Sequence, residues 1–150
     1  MNNDIIKVRN LKKHYKTKDG MLKALDGVDL SIKEGEIVGV IGESGCGKST
    51  LAKLIIGLNT QTEGEILYKD KSVEEWLRKD KLKFRRDLQM IFQNPYDVFD
   101  SKMKIEEILL SPLKIHKIGQ NKNERLDIIR AGLSKAGFKN PDDFLKRYPR

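Results

Sequence analysis

The sequence predicts an α/β fold on three observations: early segments alternate apolar and polar residues, a β-branched apolar run passes directly into a glycine cluster and a helical pattern, and the last third carries helical periodicity alone. Ile6 and Val8 alternate with charged neighbours, and Val28, Leu30 and Ile32 do the same, which is the period of half-buried strands. Lys33-Glu34-Gly35-Glu36 then reads as a turn. Ile37-Val38-Gly39-Val40-Ile41 is continuously apolar, the pattern of a strand covered on both faces as in a parallel sheet.

Beyond the glycine cluster, Leu51, Leu54, Ile55 and Leu58 recur at helical spacing, which predicts a helix broken around Gly57. Gly64 to Tyr68 returns to strand character. Residues between Val73 and Arg86 are mostly long, charged and helix-favouring, and Leu88 to Phe92 predicts one more short apolar strand. From Ile105 the pattern is helical: Ile105, Ile108, Leu109 and Leu113 share one face, and Leu126, Ile129, Leu133 and Ala136 share another. Gly137 is placed to stop the second of these helices in a left-handed cap. Asn140 as N-cap, Pro141 at the first position and Asp142-Asp143 in the first turn start a third. The change of character places a subdomain boundary near Asn94-Pro95, giving an α/β part over 1–94 and a helical part over 95–150.

Composition narrows the function classes. The chain has 150 residues, 30 Lys plus Arg against 22 Asp plus Glu, a net charge of +8 and 38% hydrophobic residues, enough apolar material for a core. Wholesale disorder and a disulfide-stapled miniprotein are thereby excluded. The apolar runs are too short to span a bilayer, and MNNDIIKVRN does not read as a secretion signal. A single cysteine, Cys46, fits a reducing cytosol. The excess positive charge leaves nucleic acid, an anionic membrane surface and a phosphate-bearing ligand all open.

The glycine cluster chooses among these. Gly42-Glu43-Ser44-Gly45-Cys46-Gly47-Lys48-Ser49-Thr50 matches G-x-x-x-x-G-K-[ST], with an apolar segment before it and a helical pattern after it. Glycines let the backbone curl so that successive N–H groups point inward at phosphate oxygens, and the helix N-terminus adds its positive end. Lys48 then reaches the β- and γ-phosphates, Ser49 sets its hydroxyl on Mg²⁺, and Thr50 is placed for the α-phosphate. Cys46 at a helix N-terminus admits a redox reading, but a small side chain suited to the loop is the simpler account. The basic run from Lys79 to Arg86 is interrupted by Asp80 and lacks interleaved aromatics, so it reads as a solvated helix face. With one cysteine and two widely separated histidines, His14 and His116, no structural metal site is indicated.

GESGCGKST, the LAKLIIGL after it, LKKHY near the start, LDGVDLSIKEGE before the loop, and GEI and QMIFQNPYDVFDSKM behind it stand together in this order. In this the chain resembles the ATP-binding subunits of ABC transporters, particularly the oligopeptide, dipeptide and nickel importer group. The resemblance covers essentially the whole chain and implies a P-loop NTPase, RecA-like, ABC nucleotide-binding core with the start of a helical subdomain. It implies ATP and Mg²⁺ as cofactors. Tyr15 maps by resemblance onto the aromatic residue that stacks on adenine, and Gln93 onto the glutamine that reaches Mg²⁺ and the attacking water. It also implies partners: transmembrane permease subunits, a second ATP-binding subunit and, indirectly, an extracytoplasmic solute-binding protein. The implied location is peripheral, on the cytoplasmic face of a bacterial or archaeal plasma membrane, with no nucleic-acid partner.

The family continues into a signature motif LSGGQ, a Walker B strand with its Asp-Glu pair and a switch histidine, none of which is found in these 150 residues. The expectation is therefore the N-terminal portion of a longer subunit, inactive by itself because the general base is missing. The alternatives are a non-hydrolysing nucleotide-binding module and a DNA-associated ABC-type ATPase. Tyr96 and Phe99, close behind Gln93, are candidate anchors for a membrane partner; the competing account is that they pack the helical segment onto the core.

Overall fold

The computed structural model describes residues 3–94 and 98–149. They form two compact units, Met1–Met90 and Ile91–Arg150.

The first unit is built on two long strands, β1 (Asp4–Thr17) and β2 (Gly20–Lys33), joined by a two-residue turn. They pair antiparallel from Thr17 opposite Gly20, through Tyr15 opposite Leu22 and Val8 opposite Leu30, to Ile6 opposite Ile32. The alternation seen in the sequence thus becomes one hairpin, with register shifts that re-aim side chains midway along it. On the other edge of β1 lies β3 (Glu63–Tyr68), with Val8 opposite Ile66, and then the short β4 (Lys71–Ser72). The sheet order is β2-β1-β3-β4, all antiparallel.

One face of this sheet is covered by α1 (Lys48–Ile55), α2 (Val73–Lys79) and α3 (Lys81–Asp87), which give the core Leu51, Leu54, Val73 and Phe84 beside Val8, Leu11, Leu25, Ile66 and Tyr68 of the strands. The sequence read 73–86 as one helical stretch; a break at Asp80 divides it. Asp80 ends α2 and caps α3 by accepting the Lys83 N–H at 3.2 Å, while Ser72 caps α2 by accepting that of Glu75 at 3.1 Å. Trp76 donates its ring N–H to the Tyr68 carbonyl at 2.8 Å, and the rings of Tyr68, Trp76 and Phe84 pack with centroids 5.6 to 6.3 Å apart. Arg85 donates to the carbonyls of Ile56 and Gly57, satisfying groups that the end of α1 leaves open. Gly57 holds a φ of +64°, which places the break after α1 where the sequence indicated it.

Two expected strands are not formed. Residues 37–41 and 88–92 lie outside any sheet, with Ile37 and Ile41 each 97% exposed and Ile91 96% exposed. A strand of the buried parallel type requires hydrogen-bonding neighbours on both edges and cover on both faces. Among the described residues every strand belongs to the antiparallel sheet, and none offers that neighbour.

The second unit is helical: α4 (Ile105–Ile115), α5 (Lys122–Lys135) and α6 (Pro141–Leu145) pack around Leu110, Ile129 and Leu145. Asn121 caps α5 by accepting the Glu124 N–H at 3.0 Å. Gly137 at φ +92° ends the α5 region and Pro141 opens α6, as the sequence indicated. Arg130 of α5 pairs with Asp142 of α6 at 2.9 Å, and the rings of Phe138 and Phe144 meet at 4.3 Å between centroids. Of the two candidate anchors, Phe99 is exposed, and Tyr96 lies outside the described residues, as does Pro95 at the expected boundary. Among the described residues no helix is long and apolar enough to cross a membrane, and no cluster of three His, Cys, Asp or Glu could hold a metal ion.

Candidate functional site

The glycine loop, residues 42–47, lies on the surface of the first unit and leads into α1. Gly45 and Gly47 take φ values of +82° and +96°, the left-handed region that side chains resist. At Gly47 the requirement is also steric: a Cβ there would lie 2.4 Å from the Ala24 carbonyl oxygen and 2.8 Å from Leu25 Cδ2. At Gly42 a Cβ would meet Cys46 Sγ at 2.6 Å, whereas at Gly45 it would meet nothing within 4 Å. The loop is therefore pressed against β2 at one glycine and folded on itself at another.

Lys48 closes the curl. Its ammonium donates to the carbonyl oxygens of Gly42 at 2.8 Å and Glu43 at 2.7 Å, and lies 3.5 Å from Cys46 Sγ. The first N–H to bond back within the helix is that of Leu51, onto Gly47 O at 2.8 Å. The amides of Lys48, Ser49 and Thr50 therefore have no intrahelical acceptor and stand at the positive end of the helix. Ser49 is exposed, as are Glu43, Ser44 and Cys46. Three amides at the start of the helix, the Lys48 ammonium and the exposed Ser49 hydroxyl can receive a polyanion, and the hydroxyl suits a hard cation such as Mg²⁺.

Tyr15 belongs to the same unit. It pairs across the hairpin with Leu22, two residues from Ala24, whose carbonyl crowds Gly47, so the strand that positions the ring also abuts the loop. The ring is half-buried; Lys13 Nζ lies 5.0 Å from its centroid and Asn59 Nδ2 donates to its hydroxyl oxygen at 3.4 Å. Nearby, Asp26 sits 2.9 Å from Lys23 Nζ and 3.0 Å from His14 Nε2, and the Lys23 hydrogen bond, then that of His14, hold its carboxyl below the usual carboxylate range. Gln93 falls in the second unit, where it is exposed. The loop and Tyr15 are thus brought into one unit, while Gln93 belongs to the other. Sequence reasoning missed Ala24 and Leu25, whose places come from the packing of β2 on the loop, Asn59, which the connection after α1 brings to the ring, and Lys13, which shares a face of β1 with Tyr15.

The G-x-x-x-x-G-K-[ST] loop opening a helix is the mark of the P-loop class of nucleotide-binding proteins. Within that class the chain belongs to the ABC transporter family, whose family model matches residues 25–148. It is 40% identical over 146 residues to the putative oligopeptide transport ATP-binding protein YkfD of Bacillus subtilis (strain 168), covering 97% of this chain and 44% of that protein. To the oligopeptide transport ATP-binding protein OppF of the same organism it is 37% identical over 150 residues, covering 99% of this chain and 48% of that one. Among solved structures, the dimeric post-hydrolysis state of the ATP-binding cassette MJ0796 bound to ADP and Pi is similar at a TM-score of 0.78 and 30% identity, over 96% of this chain and 61% of that one. The chain spans about half the length of the curated relatives it matches. The α/β, P-loop NTPase, RecA-like ABC core expected from the sequence is therefore the fold, although two strands expected within it are not formed among the described residues.

Proposed function

We propose that this chain is the N-terminal part of the nucleotide-binding domain of an ABC importer's ATP-binding subunit, with 1–94 its α/β core and 95–150 the start of its helical subdomain. In the complete subunit it would couple ATP binding and hydrolysis to uptake of peptides or a related solute. The observation that carries this reading is the loop itself: left-handed glycines, one of them pressed on Ala24, open a helix beside an ammonium that already holds two loop carbonyls. The similarity to oligopeptide transport ATP-binding proteins supports the solute class.

In this reading the backbone of Gly42 to Thr50, including Glu43, Ser44, Gly45, Cys46 and Gly47, cradles the phosphates. Lys48, whose ammonium rests on the carbonyls of Gly42 and Glu43, would bind the β- and γ-phosphate oxygens instead. Thr50 bonds the α-phosphate, Tyr15 offers its ring to adenine, and Ser49 and Gln93 supply oxygens for Mg²⁺. A cation held there would supply positive charge against the phosphates. Gln93 also orients the attacking water. Partners in this reading are permease subunits, a second ATP-binding subunit and, through the permease, a solute-binding protein, with the subunit peripheral on the cytoplasmic face of the plasma membrane.

The thiol of Cys46 is exposed inside this loop and reports directly on its occupation. Mg-ATP at saturating concentration is expected to slow alkylation of Cys46 by about tenfold or more, since protection scales with the fraction of sites filled. Mass spectrometry of timed iodoacetamide reactions measures it. Equal rates with and without Mg-ATP, in a chain whose far-UV circular dichroism shows it folded, would mean that nucleotide does not occupy the loop.

A second expectation separates the two left-handed glycines. Gly47→Ala combines a disfavoured φ with a clash on a backbone oxygen, whereas Gly45→Ala meets only the former. The left-handed conformation alone costs roughly 1–2 kcal/mol. Gly47→Ala should therefore weaken Mg-ATP binding in calorimetry by well over about tenfold, and Gly45→Ala by about tenfold or less. Equal losses would show that contact with Ala24 does not shape the loop.

A further inference from the structure

The surroundings of Tyr15 tie its ring to the helix that the glycine loop opens. Lys13, two positions earlier in β1, holds its ammonium 5.0 Å from the ring centroid and donates to the Thr60 carbonyl at 2.6 Å. Asn59, the residue before Thr60, donates to the ring's hydroxyl oxygen at 3.4 Å. Both residues lie in the segment that leaves α1, and that segment is fastened at each end. At the helix end, the N–H groups of Leu58 and Asn59 donate to Lys53 O at 2.8 and 3.3 Å. At the sheet end, Thr62 N–H donates to Lys12 O at 2.8 Å, and His14 N–H donates to Thr62 Oγ1 at 3.0 Å.

We propose that Lys13 and Asn59 are positioning residues that fix the Tyr15 ring for a purine base. The Lys13 ammonium occupies one face of the ring, as a cation does on an aromatic quadrupole, and confines a stacking base to the other face. Asn59 sets the ring's rotation through the hydroxyl. The short connection from α1 to β3 thereby keeps the base platform in register with the helix N-terminus that receives the phosphates. The inference rests on the reading of Tyr15 as the base platform, and it adds to that reading why a tyrosine rather than a phenylalanine stands there.

The test compares two probes, Mg-ATP and inorganic tripolyphosphate, by isothermal titration of the chain and of Tyr15→Phe, Asn59→Ala, Lys13→Ala and Tyr15→Ala. Tyr15→Phe keeps the ring and removes only the acceptor. It and Asn59→Ala are each expected to weaken Mg-ATP about threefold to tenfold, the range of one hydrogen bond. The double variant should be no weaker than either single one, because both remove the same contact. Lys13→Ala should also weaken Mg-ATP, and tripolyphosphate affinity should stay within about twofold throughout. If Tyr15→Ala weakens both probes equally, the ring is not a base platform and the proposal falls with that reading. If Tyr15→Ala is selective for Mg-ATP but Tyr15→Phe, Asn59→Ala and Lys13→Ala leave Mg-ATP unchanged, the platform stands and the positioning roles are overturned. Parallel loss of both probes in Asn59→Ala with a lowered melting temperature would likewise overturn the proposal, since the residue then supports only the fold.

Discussion

Lys48→Ala is expected to abolish measurable binding of Mg-ATP while leaving the secondary structure intact. The ammonium has two tasks that alanine cannot perform. It bridges the carbonyls of Gly42 and Glu43, at 2.8 and 2.7 Å, and so keeps the loop curled before ligand arrives. In the proposed reading it is also the charged donor that meets the phosphates, and hydrogen bonds involving a charged group are each worth about 1.5–3 kcal/mol. Losing contacts to two phosphate groups therefore costs roughly a hundredfold or more in affinity. Lys48→Arg is expected to fail as well, because a planar fork does not replace a compact ammonium inside a tight loop. Calorimetry with Mg-ATP measures the loss and far-UV circular dichroism checks the fold. Retention of affinity within about threefold would show that the phosphates bind elsewhere.

The largest expected effect on stability is at Phe84. Its side chain has no exposed surface, and its ring lies 5.8 Å from that of Tyr68 and 6.3 Å from that of Trp76, between centroids. Truncation to alanine removes the ring that joins α3 to β3 and α2, and such changes cost about 3–5 kcal/mol. That is a large part of the stability of a typical domain, so Phe84→Ala is expected to leave the first unit partly or wholly unfolded at room temperature. Phe84→Leu should lose less, since it keeps most of the apolar contact. Urea unfolding followed by Trp76 fluorescence reads both variants, because the indole packs against the same ring. A loss below about 1 kcal/mol for the alanine variant would mean that Phe84 does not organise this core.

Both predictions start from residues that were recognisable in the sequence to very different degrees. Lys48 is identified by its motif, because phosphate chemistry demands that spacing of glycine, lysine and hydroxyl wherever the loop occurs. Phe84 sits in a run of lysines and arginines that reads as a solvated helix, and only the fold shows that this one aromatic turns inward among charged neighbours. Asp80 likewise reads as an interruption of a basic run, whereas in the structure it ends one helix and caps the next.

By itself the sequence determined the elements whose causes are local. The phosphate loop, the helix that follows it, the break at Gly57, the cap at Gly137 and the start at Pro141 all follow from residues within a few positions, where backbone sterics and capping act. Only the tertiary structure decided matters that depend on partners distant in the chain. It paired β1 with β3 as well as β2, set Tyr15 beside Asn59, and pressed Gly47 against Ala24. It also left residues 37–41 and 88–92 outside the sheet, although their apolar, β-branched composition suits a buried strand. The physical reason is common to all of these. A helix satisfies its backbone from its own neighbours four residues away, whereas a strand exists only where another strand completes its hydrogen bonds, and no stretch of sequence carries that second strand within itself.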